Sequence, residues 1–191
     1  MDRLAPRWLA PIALAVCDKL EVVVAGVAFP HLIYQFALAH SGWRHAAVFE
    51  GGESFIALST GLQSALWRLG GVPEEHRTDS LSAAFNNLAE KEELTRRYAV
   101  LCKHYDMRAS RCNPGQSQEN GSIESRHDPL KTALDQALRL RGSRCFDERA
   151  AYEALVATIV ARFNARVAVR FVVERATRSR ATDTVTMPPT T

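Results

Sequence analysis

A single acidic residue, Glu124, follows a short run of small polar residues and begins a long helical pattern. The run reads Asn120-Gly121-Ser122-Ile123, and the helical pattern continues to about Arg141 before Gly142 ends it. A second acid, Asp79, stands upstream in Arg77-Thr78-Asp79-Ser80. The chain between the two acids is long enough for a helix, a strand and a loop. The fold can therefore leave a sheet at Asp79 and return over it at Glu124.

Taken alone, each acid has a simple structural explanation. Asp79 precedes Ser-Leu-Ser-Ala-Ala, which is good sequence for a helix that the carboxylate would cap. Glu124 in a first helical turn would be stabilised by the helix dipole. The surrounding sequence must decide between these explanations and a shared chemical role.

Strand and helix patterns alternate along the chain. β-branched and apolar runs predict strands, and apolar residues at intervals of three and four predict helices. The predicted strands are 11–17, 21–29, 32–39, 76–79 and 107–112; the predicted helices are 53–69, 90–105, 122–141 and 147–163 or beyond; 113–121 is predicted as a loop. The strands at 21–29 and 32–39 are expected to form an antiparallel hairpin. This order is α/β and is compatible with several folds. One of them is the ribonuclease-H-like fold, in which a three-stranded antiparallel meander precedes short parallel strands flanked by helices, and the two acids favour it.

Composition indicates an ordinary soluble domain. Hydrophobic residues make up 47% of the 191 residues, and no apolar run reaches the roughly 20 residues of a membrane helix. The four cysteines are scattered without a CxxC pair, which favours reduced thiols and a cytoplasmic location. The net charge of +3 is too small to indicate a nucleic-acid partner by itself.

Several motifs together resemble IstA-type transposases of bacterial insertion sequences, over roughly residues 20 to 175. The motifs are Gly51-Gly52-Glu53-Ser54-Phe55, Gly61-Leu62-Gln63-Ser64-Ala65-Leu66-Trp67, Gly70-Gly71-Val72-Pro73, His76-Arg77-Thr78-Asp79-Ser80-Leu81-Ser82-Ala83-Ala84-Phe85, Glu119-Asn120-Gly121-Ser122-Ile123-Glu124-Ser125 and Leu140-Arg141-Gly142-Ser143-Arg144. The resemblance implies an integrase catalytic core of the Asp-Asp-Glu type that cuts and joins DNA. It also implies two Mg²⁺ (or Mn²⁺) ions, a homo-oligomer and an ATPase helper protein. Asp79 and Glu124 would be catalytic metal ligands.

The sequence departs from this family at the first acid of the set. The family pattern places that acid near residues 13–16, where the chain has Ala-Leu-Ala-Val. Asp18 is the nearest acid and is the candidate third catalytic and metal ligand. Residues 4–16 do not resemble the family. A truncated or frameshifted start would produce such a difference. The chain is therefore expected to be either an active core or a degenerate fragment that at most binds DNA or a partner.

Basic residues on two helical patterns are candidates for DNA contact. Lys131 is two turns after Glu124 and shares its helical face, and Arg126 is a further candidate. Arg162, Arg166 and Arg170 recur every four residues, so a continuous helix aligns them in one stripe. A solvated helix face is the alternative for all of these residues.

The composition also suggests a division of the chain. The expected parts are a divergent or truncated start (1–19), an integrase-like catalytic core (20–146), a helical extension (147–175) and a disordered tail (176–191).

Overall fold

The structure is a computed structural model, and it describes residues 9–16, 20–52, 54–78, 88–111 and 117–179. The strands are β1 (Leu9–Val16), β2 (Val23–Val24), β3 (Val27–Ala28), β4 (His31–Ala37), β5 (Arg44–Glu50), β6 (Glu75–Thr78), β7 (Arg108–Arg111) and β8 (Cys145–Phe146). The helices are α1 (Phe55–Leu69), α2 (Leu88–His104), α3 (Ser117–Arg141) and α4 (Arg149–Ser179). Within these ranges, no helix combines the length and apolar character needed to cross a membrane.

The main sheet has five strands in the order β5-β4-β1-β6-β7. β4 pairs antiparallel with both β1 and β5, whereas β6 runs parallel to β1 and to β7. Three antiparallel strands are therefore joined to short parallel strands, as the sequence predicts. β1 is the central strand and connects the two halves of the sheet.

Helices cover both faces of this sheet. Tyr34 and Phe36 of β4 belong to a core cluster with residues of α1 and α2. Ile33, which points to the opposite face because strand side chains alternate, belongs to a second cluster with residues of α3 and α4. All seven residues of β4 are buried, since neither face meets solvent.

The first half of α4 is part of the core. Tyr152 is fully buried, and its hydroxyl lies 2.8 Å from His31 Nε2. His31 Nδ1 lies 2.8 Å from the carbonyl oxygen of Phe29 and donates to it, so Nε2 accepts from Tyr152. Further along, the Asn164 side chain binds both backbone groups of Arg44: it accepts from the N–H and donates to the carbonyl, each at 2.8 Å. Asn164 thereby satisfies part of the outer edge of β5.

The predicted hairpin of 21–29 with 32–39 is wrong. Ala25 and Gly26 both have positive φ and form a tight turn, so the run folds back on itself as β2 and β3. That ribbon pairs with β8 in a separate three-stranded sheet. The third antiparallel strand of the main sheet is β5, a segment that the sequence patterns do not predict.

Two other boundaries differ from the predictions. α3 begins at Ser117, so the end of the predicted loop, including Asn120 and Gly121, lies within the helix. α4 continues to Ser179, so residues 176–179, predicted to begin a disordered tail, are helical. The rest of that tail lies outside the described residues.

Gly61 of α1 is required for the close packing of that helix on β4. A Cβ atom at this position would overlap the ring of Tyr34, which is fully buried. We expect Gly61→Ala to lower the free energy of unfolding by about 1–3 kcal/mol through overpacking, although alanine normally favours a helix. Denaturant unfolding measures this loss. Gly52→Ala is the matched control, because a Cβ there meets no atom within 4 Å; equal stability of the two variants would contradict the packing.

Candidate functional site

The carboxyl end of β6 lies beside the middle of the central strand. Thr78, the last residue of β6, pairs with Ile12 of β1. Asp79 is the next residue in the chain and lies outside the described residues. β1 reads Leu-Ala-Pro-Ile-Ala-Leu-Ala-Val and has no acidic residue to place beside the end of β6. Residues 13–16, where the family pattern expects the first acid, lie in this central strand.

α3 carries Glu124 and contacts β1. The backbone of Glu124 is helical, as predicted, and so is that of Arg126; the side chains of both lie outside the described part of the chain. Lys131, two turns later, is half-buried. The helix that bears the second candidate acid is therefore packed against the strand that neighbours β6.

The donor set for a divalent cation is incomplete in the described chain. Among the residues that the structure describes, no group of three His, Cys, Asp or Glu side chains could hold a metal ion. Asp18 lies outside the described residues, two positions after β1 ends. Asp79 and Glu124 are oxygen donors of the kind that Mg²⁺ prefers, but β1 adds no third carboxylate.

A buried histidine of β6 is hydrogen-bonded to a buried tyrosine of α2. His76 is fully buried, and its ring stacks on Phe36. Tyr98 of α2 donates its hydroxyl proton to the His76 carbonyl oxygen at 3.1 Å, so it accepts from His76 Nδ1–H. Burial lowers the pKa of His76 to about 3, and its Nε2 has no hydrogen-bond partner among the described residues. The sequence patterns identify Tyr98 as an apolar-stripe residue but miss this pair, because the partners are 22 residues apart.

The predicted basic stripe is present in part. Arg162 and Arg166 are both exposed on α4 and line one groove between α3 and α4. The Arg170 backbone is helical, and its side chain lies outside the described residues. The role of these arginines in DNA contact stays a prediction.

The fold has counterparts among solved structures. One is a chain of the cryo-EM structure of the simian T-cell lymphotropic virus intasome in complex with PP2A regulatory subunit B56 gamma, with a TM-score of 0.56 and 16% identity over 83% of this chain and 50% of that one. Another is the catalytic core domain of BIV integrase, with a TM-score of 0.53 and 18% identity over 80% of each chain. The chain therefore has the ribonuclease-H-like fold of integrase catalytic cores, and the predicted fold class is confirmed.

The sequence has a relative in Sinorhizobium fredii (strain NBRC 101917 / NGR234). The chain is 52% identical over 159 residues to the uncharacterized protein y4jA/y4nE/y4sE. That match covers 82% of this chain but 32% of the relative, so the chain spans about a third of the relative's length. No family model matches the chain.

Two buried histidines are expected to make stability fall in acid. Burial lowers the pKa of His76 to about 3; burial and, secondly, the charge of Arg68 lower that of His45 to about 4. Below pH 6.5 the unfolded chain binds protons that the folded chain does not, so each histidine removes up to about 1.4 kcal/mol of unfolding free energy per pH unit. This stability is fully present above pH 6.5 and falls towards pH 4.

Urea unfolding between pH 7 and 4 measures this slope. His76→Phe should reduce it, since the ring that titrates is replaced by one that stacks on Phe36, while Tyr98 keeps its bond to the backbone carbonyl. An unchanged slope in this variant would show that His76 does not titrate as described.

Proposed function

We propose that the chain is the core of a transposase or integrase that cleaves and joins DNA phosphodiesters. The observation that carries the proposal is the position of two chain segments in this fold. Asp79 directly follows the strand that runs parallel to β1, and Glu124 belongs to the helix packed against β1. Carboxylates from these two segments would converge beside β1, near the carboxyl end of β6.

Asp79 and Glu124 would hold the divalent cations of the reaction, Mg²⁺ or Mn²⁺. When bound, such ions polarise a phosphodiester and activate a water or a 3′-hydroxyl as nucleophile. Asp18 is the proposed third ligand, because it is the first acid after β1. The part played by these carboxylates would be to bind the ions and fix their positions.

DNA would be held by basic residues on the same helix as Glu124 and on its neighbour. Arg126 and Lys131 follow Glu124 on α3, and Arg162, Arg166 and Arg170 follow one another on α4. Cationic side chains neutralise phosphates and release counterions, which makes such binding dependent on salt.

A second candidate function is DNA or partner binding without catalysis. The specific observation in its favour is the absence of an acid from β1, the strand that the family pattern expects to supply the first ligand. A cation site lacking one carboxylate would stabilise the transition state less, and cleavage would be slow or absent while binding persisted.

Finer features of the proposal come from the sequence resemblance. They are an IstA-type origin, an insertion-sequence substrate, an ATPase helper, a homo-oligomer and a cytoplasmic place of action. The four-part division of the chain, with a catalytic core at 20–146, is proposed on the same basis. Since the chain covers about a third of its curated relative, the activity of a whole protein of that length is likewise a proposal.

A nicking assay on supercoiled DNA with Mn²⁺ distinguishes the two candidates. If the chain is catalytic, Asp79→Asn and Glu124→Gln should each slow nicking by roughly two orders of magnitude, because each removes a proposed metal ligand. Glu92→Gln is the matched control, since Glu92 is exposed on α2, on the other side of the sheet. DNA binding by a folded wild-type chain without nicking would favour the second candidate; nicking that survives both substitutions would exclude these acids.

A further inference from the structure

A largely apolar groove of about 560 Å³ lies between α3 and α4. α3 contributes Ala133, Ala137 and Leu140 to its lining, and α4 contributes Ile159 and Phe163. Leu140 is 91% exposed, although it is a large aliphatic residue. The groove therefore leaves apolar surface in contact with water.

The charges at this groove have one sign. Arg162 and Arg166 are exposed, lie one turn apart on α4 and line the groove along that side. Its other polar lining residues are Thr132 and Gln136, and none of the described lining residues is acidic. An occupant with carboxylates beside an apolar surface would complement both features.

The α4 side of the groove is held in position by the sheet. Asn164 binds the backbone N–H and carbonyl of Arg44, which fixes α4 against the start of β5. The Arg44 guanidinium lies 4.6 Å from the centre of the Phe163 ring, and that of Arg166 lies 6.0 Å from it. Because Arg44 lies over the Phe163 ring and Asn164 binds the β5 backbone, this part of α4 is fixed before a partner binds.

The length of the groove fits a third helix. Its lining on α3 extends from Pro129 to Leu140, which is roughly 16 Å, or three helical turns. Ala133 and Ala137 are four residues apart on the same face, so small side chains allow another helix to approach closely. DNA phosphates could use the arginines but would leave the aliphatic floor exposed to water.

We infer that this groove binds an acidic amphipathic α-helix of a partner protein. The apolar stripe of that helix would cover Ala133, Ala137 and Leu140, and its carboxylates would pair with Arg162 and Arg166. Such helix-in-groove recognition uses apolar anchors for affinity and flanking charges for orientation. This inference does not depend on the proposed metal site, but a bound helix would compete with DNA for the two arginines.

Fluorescence anisotropy with a designed peptide tests the inference on the whole chain. The probe is a labelled helical peptide of about 16 residues, long enough to span the groove, with leucines on one face and glutamates beside them. Ala137→Asp, which puts a charge on the apolar floor, and Arg162→Ala with Arg166→Ala should each weaken binding about tenfold or more. Arg96→Ala is the matched control, because it removes an exposed arginine from α2 on the opposite side of the sheet and should leave binding unchanged.

Two further comparisons make the result decisive. A peptide of the same composition with leucines spread around the helix should bind much more weakly, and thermal unfolding should show that each variant stays folded. Absence of binding to a folded wild-type chain, or equal binding of the two peptides, would overturn the inference. The inference would also fail if Leu140→Ser, which removes apolar surface from the groove without adding a charge, weakened duplex DNA binding as strongly as peptide binding, because nucleic acid would then be the occupant.

Discussion

Burial of the central strands on both faces is the constraint on which the rest of the structure depends. Every residue of β4 is buried, because α1 and α2 cover one face of the sheet and α3 and the first half of α4 cover the other. This arrangement requires Gly61, whose lack of a side chain lets α1 approach Tyr34. It also brings α3 against β1, the strand beside β6. The packing of the core therefore determines which segments lie beside β1 and the carboxyl end of β6.

The same packing buries two histidines and gives them a structural role, which distinguishes them from the candidate functional acids. His31 and His76 are buried, and each is hydrogen-bonded to a tyrosine of a covering helix, Tyr152 and Tyr98 respectively. Burial lowers the pKa of His76 to about 3 and so keeps the imidazole neutral, which makes His76 a structural group within β6. The candidate functional groups are the acids Asp79, which follows β6 in the sequence, and Glu124, which belongs to α3.

Much of the fold follows from periodicity, and the wrong predictions have physical causes. The helix predicted at 53–69 is observed as Phe55–Leu69 because its apolar spacing is regular and Gly70 ends it in the left-handed conformation. The run 21–29 is predicted as one strand because β-branched residues favour extended backbone whether or not a turn interrupts them. The residue type at Ala25 gives no indication of its positive φ. β5 is not predicted because its buried and partly exposed residues do not alternate along the strand, so its sequence lacks the alternation of apolar and polar residues that indicates a strand. The acids Asp79 and Glu124 are identified by the motifs around them and not by their spacing, and only the strand register shows that the segment lacking an acid pairs with β6.

Manganese titration calorimetry on the whole chain shows whether Asp79 and Glu124 serve one cation site. A folded wild-type chain should bind Mn²⁺, and Asp79→Asn or Glu124→Gln should each remove most of that binding. The double variant should then lose little more than either single variant, because ligands of one site do not contribute additively. Mn²⁺ binding that neither substitution changes would contradict a shared site. So would losses of Mn²⁺ binding in the two single variants that sum to the loss in the double variant, as expected for independent sites.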